Sequence, residues 1–184
     1  MRRPRIAVFL AFLAMLASAF AAKGLPEAPR WPLTLREGLP EAIPGWAGAP
    51  RDALPEEDEN AMGHYVEVSR FFQKIESPTS TKQFRLAVQD YGAGKDLLAS
   101  LRQAVAEAAA HGVETRTFDI AGHAAFVVTD HSTGKPTTMV TVVVSPGRLL
   151  LGQGANVPGD EAVKLVRAAD LGKLAAVRDS AEKH

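Results

Sequence analysis

Val66, Val68 and Phe72 alternate along the chain with Glu67, Ser69 and Phe71, and Phe84, Leu86 and Val88 alternate with Arg85, Ala87 and Gln89. A period of two is the mark of a strand with one face buried and the other wet, so two strands are expected here. The stretch between them, Glu76 to Lys82, is polar and holds Pro78, which predicts an exposed hairpin loop. The period then lengthens. Leu97, Leu98, Leu101, Ala104, Val105, Ala108 and Ala109 recur at helical spacing, with Asp96 placed to cap the start and Gly112 following His111 at the end. A helix is predicted over Lys95 to His111, its other face carrying Arg102, Gln103 and Glu107 to water. Leu101 sits at the centre of the apolar stripe and is expected to insert between Leu86, Val88, Val140 and Val142.

Four more strand patterns follow with no helix between them: Glu114 to Ile120, Ala124 to Thr129, Thr137 to Val144 and Leu149 to about Gly152. Their connections, Ala121-Gly122-His123, Asp130 to Pro136 and Ser145-Pro146-Gly147-Arg148, have turn chemistry and are too short to join parallel neighbours. Pro158 and Asp160 open a second helix with Val163, Val166 and Ala169 on one face, and Asp170 to Val177 makes a last capped turn. The order strand, strand, helix, four strands, helix predicts an α+β sandwich: an antiparallel sheet of about six strands with two helices packed on one face.

The chain ahead of this pattern differs in kind. Met1 to Ala21 has a basic start (Arg2, Arg3, Arg5), an apolar run from Ile6 to Leu16, and the small-residue patterns Ala17-Ser18-Ala19 and Ala19-Phe20-Ala21. This is the sequence of a secretory signal, with cleavage expected after Ala19 or Ala21. The competing expectation is an uncleaved membrane anchor, which would be the chain's membrane contact. Residues 22–62 are broken by seven prolines from Pro26 to Pro55 but hold Trp31, Leu33, Leu35, Leu39, Ile43 and Trp46. An extended arm that packs some of these side chains on the domain is expected, with Glu56 to Glu59 as a solvated turn or helix start. The folded unit then covers residues 63–178, and residues 179–184 form a frayed tail.

This layout is similar to that of the PsbP-like exported domains of photosystem II and their bacterial relatives. Asp170-Leu171-Gly172-Lys173-Leu174 and the turn at Ile120-Ala121-Gly122 resemble segments of that group. The resemblance covers about Gly63 to Val177 and implies the fold and an exported setting; it carries over no functional residue.

Composition narrows the chemistry. The 184 residues, 46% hydrophobic and 23% charged, are enough for one domain with a core. Loss of the three signal arginines would leave 18 basic against 21 acidic residues, a net of −3, so no nucleic acid partner is expected. The absence of cysteine excludes disulfides, thiolate catalysis and lipoprotein-type acylation.

No cofactor motif stands out. Gly152-Gln153-Gly154 lacks the third glycine of a dinucleotide loop, position 157 being Val, and reads as a tight turn after an edge strand. Gly134-Lys135 is followed by Pro136 rather than Ser or Thr and reads as a hairpin turn. His64, His111, His123 and His131 have no metal-ligand spacing; His111 suits a helix C-terminus. Asp130-His131-Ser132 are neighbours in one turn, whereas triads are assembled from distant elements. Glu67, Asp90 and Asp119 are the carboxylates that could pair across strands for acid/base work.

The remaining candidate is the strand phase opposite the core: Glu67, Ser69, Phe71, Arg85, Gln89, Tyr91, Arg116 and Asp130. Phe, Tyr and Arg are enriched where partners bind, so Phe71, Arg85, Tyr91 and Arg116 are the expected ligand-binding residues. The function this supports is a periplasmic or secreted, non-enzymatic domain that binds a protein or small ligand, as an accessory to an envelope complex. The alternative is a hydrolase or metal-dependent enzyme with a site assembled from distant residues.

Overall fold

A computed structural model describes residues 35–48, 55–60, 62–92 and 96–177. The expected signal segment, Trp31, Leu33 and the C-terminal tail lie outside them. The elements in chain order are β1 (Ala47–Gly48), β2 (Glu56–Asn60), β3 (Gly63–Ser77), β4 (Ser80–Asp90), α1 (Leu97–Ala110), β5 (Glu114–Ile120), β6 (His123–Asp130), β7 (Thr137–Ser145), β8 (Arg148–Ala155), α2 (Gly159–Val166) and α3 (Leu171–Ala176). They form one antiparallel sheet in the order β1-β3-β4-β8-β7-β6-β5, with β2 also paired to β3.

The sheet has eight strands rather than about six, because the N-terminal arm contributes two. β1 pairs with Phe72 and Gln73, and β2 pairs with Gly63 to Glu67. The acidic run is therefore a strand and not a turn. As edge-strand residues, Glu56 and Glu57 keep their charges in water, a device that discourages edge-to-edge pairing. The β3–β4 hairpin is also longer than expected. Its polar Ser, Thr, Lys and Gln residues stay paired as far as Ser77 opposite Ser80, leaving Pro78 and Thr79 as the turn. With few apolar residues to show a period, this end of the hairpin looks like a loop in sequence.

The helices do not share a face. Leu86, Val88, Leu150, Val127, Val140 and Val142 belong to one core with Ala162, Leu165, Val166, Leu171 and Leu174 of α2 and α3 and with the arm's Leu35, Leu39 and Ile43. The intervening residues Ala87, Leu149, Leu151 and Phe126 belong to a second core with Leu97 and Leu101 of α1. Successive strand side chains point to opposite sides, so α2 and α3 cover one face and α1 the other. Leu101 is buried as expected, but against the opposite phase from Leu86, Val88, Val140 and Val142. Both phases of β4 and β8 are apolar in their middles, and that removes the signal that would have assigned the helix to a face.

Local chemistry fixes the ends of the elements. The Asp96 carboxylate accepts from the Leu98 N–H at the start of α1. At its end Gly112 adopts φ +76°, and the N–H groups of Gly112 and Val113 donate to Ala109 and Ala108, the pattern of a Schellman stop. Asp170 caps α3 by accepting from Lys173 N–H. Gly152 and Gly154 lie inside β8, a central strand, and not in a turn. Their missing side chains let α2 and the following chain approach. A Cβ at Gly152 would fall on Val166 and come within 2.8 Å of Phe84, and one at Gly154 would lie 2.6 Å from Val157.

On the α2/α3 face an ion pair is fully buried. Arg148 donates to Asp90 through Nε (2.7 Å) and through Nη2, and its Nη1 donates to the Leu174 and Val177 carbonyls at 2.8 Å each. It therefore ties the end of α3 to β4 and β8.

Candidate functional site

The face under α1 is built in rows set by strand register. Glu67, Gln89 and Leu149 lie side by side; Ser69, Ala87 and Leu151 form the next row; Phe71, Arg85, Gln153 and Met139 form the third. Helix α1 packs over the leucine-bearing rows. Beyond it the face carries polar groups, and these are linked.

Arg85 donates to Glu67 through Nη2 and to Gln153 Oε1 through Nη1 (3.1 Å). Glu67, 6% exposed, also accepts from Gln89 Nε2 at 2.9 Å. Gln89 accepts at 2.9 Å from the Tyr91 hydroxyl, which in turn accepts from Asn60 Nδ2 at 2.7 Å. A chain of bonds thus runs from Gln153 on β8 through β4 and β3 to Asn60 on β2. Tyr65 packs its ring on Tyr91, centroids 5.1 Å apart, and donates its hydroxyl to Asp58 at 3.1 Å. Burial pushes the Tyr91 phenol up to about 12, and burial with the neighbouring Asp58 carboxylate pushes Tyr65 up as well. Burial also lowers the Arg85 guanidinium from its ordinary value, opposed by the Glu56 carboxylate.

The third row is where this network meets solvent. The Arg85 guanidinium lies 5.5 Å from the Phe71 ring centroid, a cation–π contact. Phe71 is 46% exposed and Ile75, on the same side of β3, is 71% exposed; among the described residues these are the exposed large hydrophobic side chains.

Of the four expected ligand-binding residues, Phe71 and Arg85 touch, and Tyr91 joins them through Gln89 and Glu67 but is itself buried beneath α1. Arg116 is elsewhere. Its register partner is Val127, a residue of the α2/α3 core, and it pairs with Asp160 of α2 at 2.7 Å. β5 has no clear apolar phase around Thr115 to Thr117, so alternation alone could not place it. Asn60, Asp58 and Gln153 join the network without any sequence signal, since only the register of β2 and β8 brings them in.

The other candidates resolve into structural roles. Ser132 donates to Asp130, and His131 turns away to Glu114 at 3.1 Å, so the three neighbours do not form a relay. The carboxylates do not pair: Glu67 holds Arg85, Asp90 holds Arg148, and Asp119 accepts from the Gly122 N–H in its turn at 2.7 Å. His111 closes α1, His123 lies 3.3 Å from the Val143 carbonyl and His64 lies 3.5 Å from Glu59. Among the described residues no group of three or more metal-ligating side chains converges, and no helix is long and apolar enough to cross a membrane. Compared with models of known protein families and with curated protein sequences, the chain matches none.

Proposed function

We propose that this chain is an exported, non-enzymatic domain of the cell envelope or the extracellular space that binds a protein or small ligand through the third row and the hairpin beyond it. The observation that carries the reading is Arg85. It is fixed by a buried carboxylate and an amide, stacked on a half-exposed phenylalanine, and placed at the edge of a face that α1 leaves open. A rigid arginine beside an exposed aromatic is the composition of binding hot spots. Export is supported by the order of basic, apolar and small residues at Met1 to Ala21. The kinship with PsbP-like exported domains belongs to the same reading and rests on element layout with Ile120–Gly122 and Asp170–Leu174.

Two measurements test it. Intact mass of the protein from the envelope fraction should show cleavage after Ala19 or Ala21; retention of Met1 to Leu16 would make it an anchored protein instead. Purified mature protein should sediment with envelope material from its source cells, and the Phe71→Ala, Ile75→Ser variant should lose this retention while Arg102→Ala, on the wet side of α1, keeps it. Equal retention of all three proteins would remove the third row as the binding surface.

A further inference from the structure

Resting on that reading, the geometry points to a neutral, hydroxyl-rich ligand, the chemistry of an oligosaccharide chain. The open surface is defined by register: Phe71 beside Arg85 beside Gln153, then Gln73 beside Gln83, then Ile75. Gln73 and Gln83 are exposed, and Arg85 and Gln153 are half-buried. With strands about 4.8 Å apart and about 3.4 Å per residue, the patch measures roughly 10 by 14 Å, room for a short run of sugar rings.

Charge selects the ligand class first. Arg85 on this patch is answered by Glu67, and Glu56, the exposed register partner of Glu67 on β2, adds a further carboxylate on the same side, so the patch offers an anion no net attraction. Hydrogen-bonding capacity selects next. Each carboxamide presents both donors and an acceptor, and the hydroxyls of a sugar present both as well, so three glutamines match such a ligand in both senses. Among the described residues Arg85 uses two of its five N–H groups on Gln153 and Glu67, so it offers further donors already fixed in direction. The apolar part is small and interrupted: Gln73 separates Phe71 from Ile75 on this side of β3. A hydrophobic protein interface would have a continuous apolar centre, whereas an isolated ring beside amides suits the C–H face of a pyranose.

The test is an NMR titration of isotope-labelled mature protein, following the side-chain amides of Gln73, Gln83 and Gln153 and Nε of Arg85. The probes are chitohexaose and maltohexaose as neutral glycans and hexaglutamate as an anion. At least one neutral glycan should move these signals with a Kd in the millimolar range. Binding should weaken about tenfold or more in Phe71→Ala and in Gln73→Ala, Gln83→Ala, and stay unchanged in Arg102→Ala. The inference is overturned if neither glycan moves the signals up to about 20 mM, if the variants bind as the parent does, or if hexaglutamate alone binds. Failure here with protease-sensitive retention on envelope material would mean a protein partner and leave the binding reading standing. Failure of both would remove both.

Discussion

The two faces of the sheet come from the same strands and are closed by different means. Under α2 and α3 the surface is aliphatic, and it is sealed by fit: Gly152 and Gly154 admit Val166 and Val157, Gly38 admits Leu174, and Trp46 caps the edge against Phe84 with ring centroids 6.2 Å apart. Its buried charges, Asp90 and Arg148, answer each other and hold α3 down. Under α1 apolar packing covers only the middle of the sheet, and a chain of polar side chains continues from it to an open row. Apolar contacts close one face. The other keeps an arginine and an aromatic ring oriented while exposed, which is the condition for recognition without a conformational cost.

The comparison breaks most readily at Asp90. Asp90→Ala removes the buried carboxylate to which Arg148 donates through Nε and Nη2 and should cost about 3 to 5 kcal/mol, read as a lowered urea midpoint and early loss of protection in α3. Leu101→Ala probes the helix side of the other face. Loss of a buried leucine should cost about 2 to 5 kcal/mol, while Gln103→Ala, exposed on the same helix, should change stability by no more than about 0.5 kcal/mol. Equal midpoints for these two variants would mean that α1 does not pack as described.

The polar network makes a smaller, pH-dependent contribution. Tyr65 and Tyr91 are the two tyrosines of the chain, and both phenols are raised in the folded state. A raised folded value means that the folded protein keeps its proton where the unfolded chain has lost it. Their contribution is therefore complete below about pH 10, the unfolded value, and is lost as pH rises from there toward about 12. Ultraviolet titration should show no tyrosinate until the protein unfolds, whereas the chain in urea should titrate near pH 10. Tyrosinate formed near pH 10 in the folded protein would mean that the hydroxyls are not sealed under α1.

The elements that speak for themselves in the sequence are those with one period and a clear stop. Asp96, the leucine and alanine stripe and Gly112 delimit α1, and the turn residues between β5, β6, β7 and β8 delimit those strands. The face that a helix covers is not written that way, because Leu86-Ala87-Val88 and Leu149-Leu150-Leu151 offer apolar atoms to both sides. Nor is β2, whose Glu56-Glu57-Asp58-Glu59 becomes a strand through pairing with β3 rather than through its own propensity. At the site, alternation correctly put Phe71, Arg85 and Tyr91 on one side. The bonds that fix them, Glu67 to Arg85 and Gln89 to Tyr91, depend on register, which single-strand patterns do not contain.

Phe71 and Phe84 sit in adjacent strands on opposite faces, one beside Arg85 and open to solvent, the other beside Phe72 and 1% exposed. Urea unfolding of the two alanine variants therefore measures whether the open row serves folding or recognition. Phe84→Ala should cost about 3 to 5 kcal/mol, and Phe71→Ala less than about 1 kcal/mol, the worth of a solvent-exposed cation–π contact. A loss for Phe71→Ala as large as that for Phe84→Ala would show Phe71 to be a core residue and contradict the assignment of this face to binding.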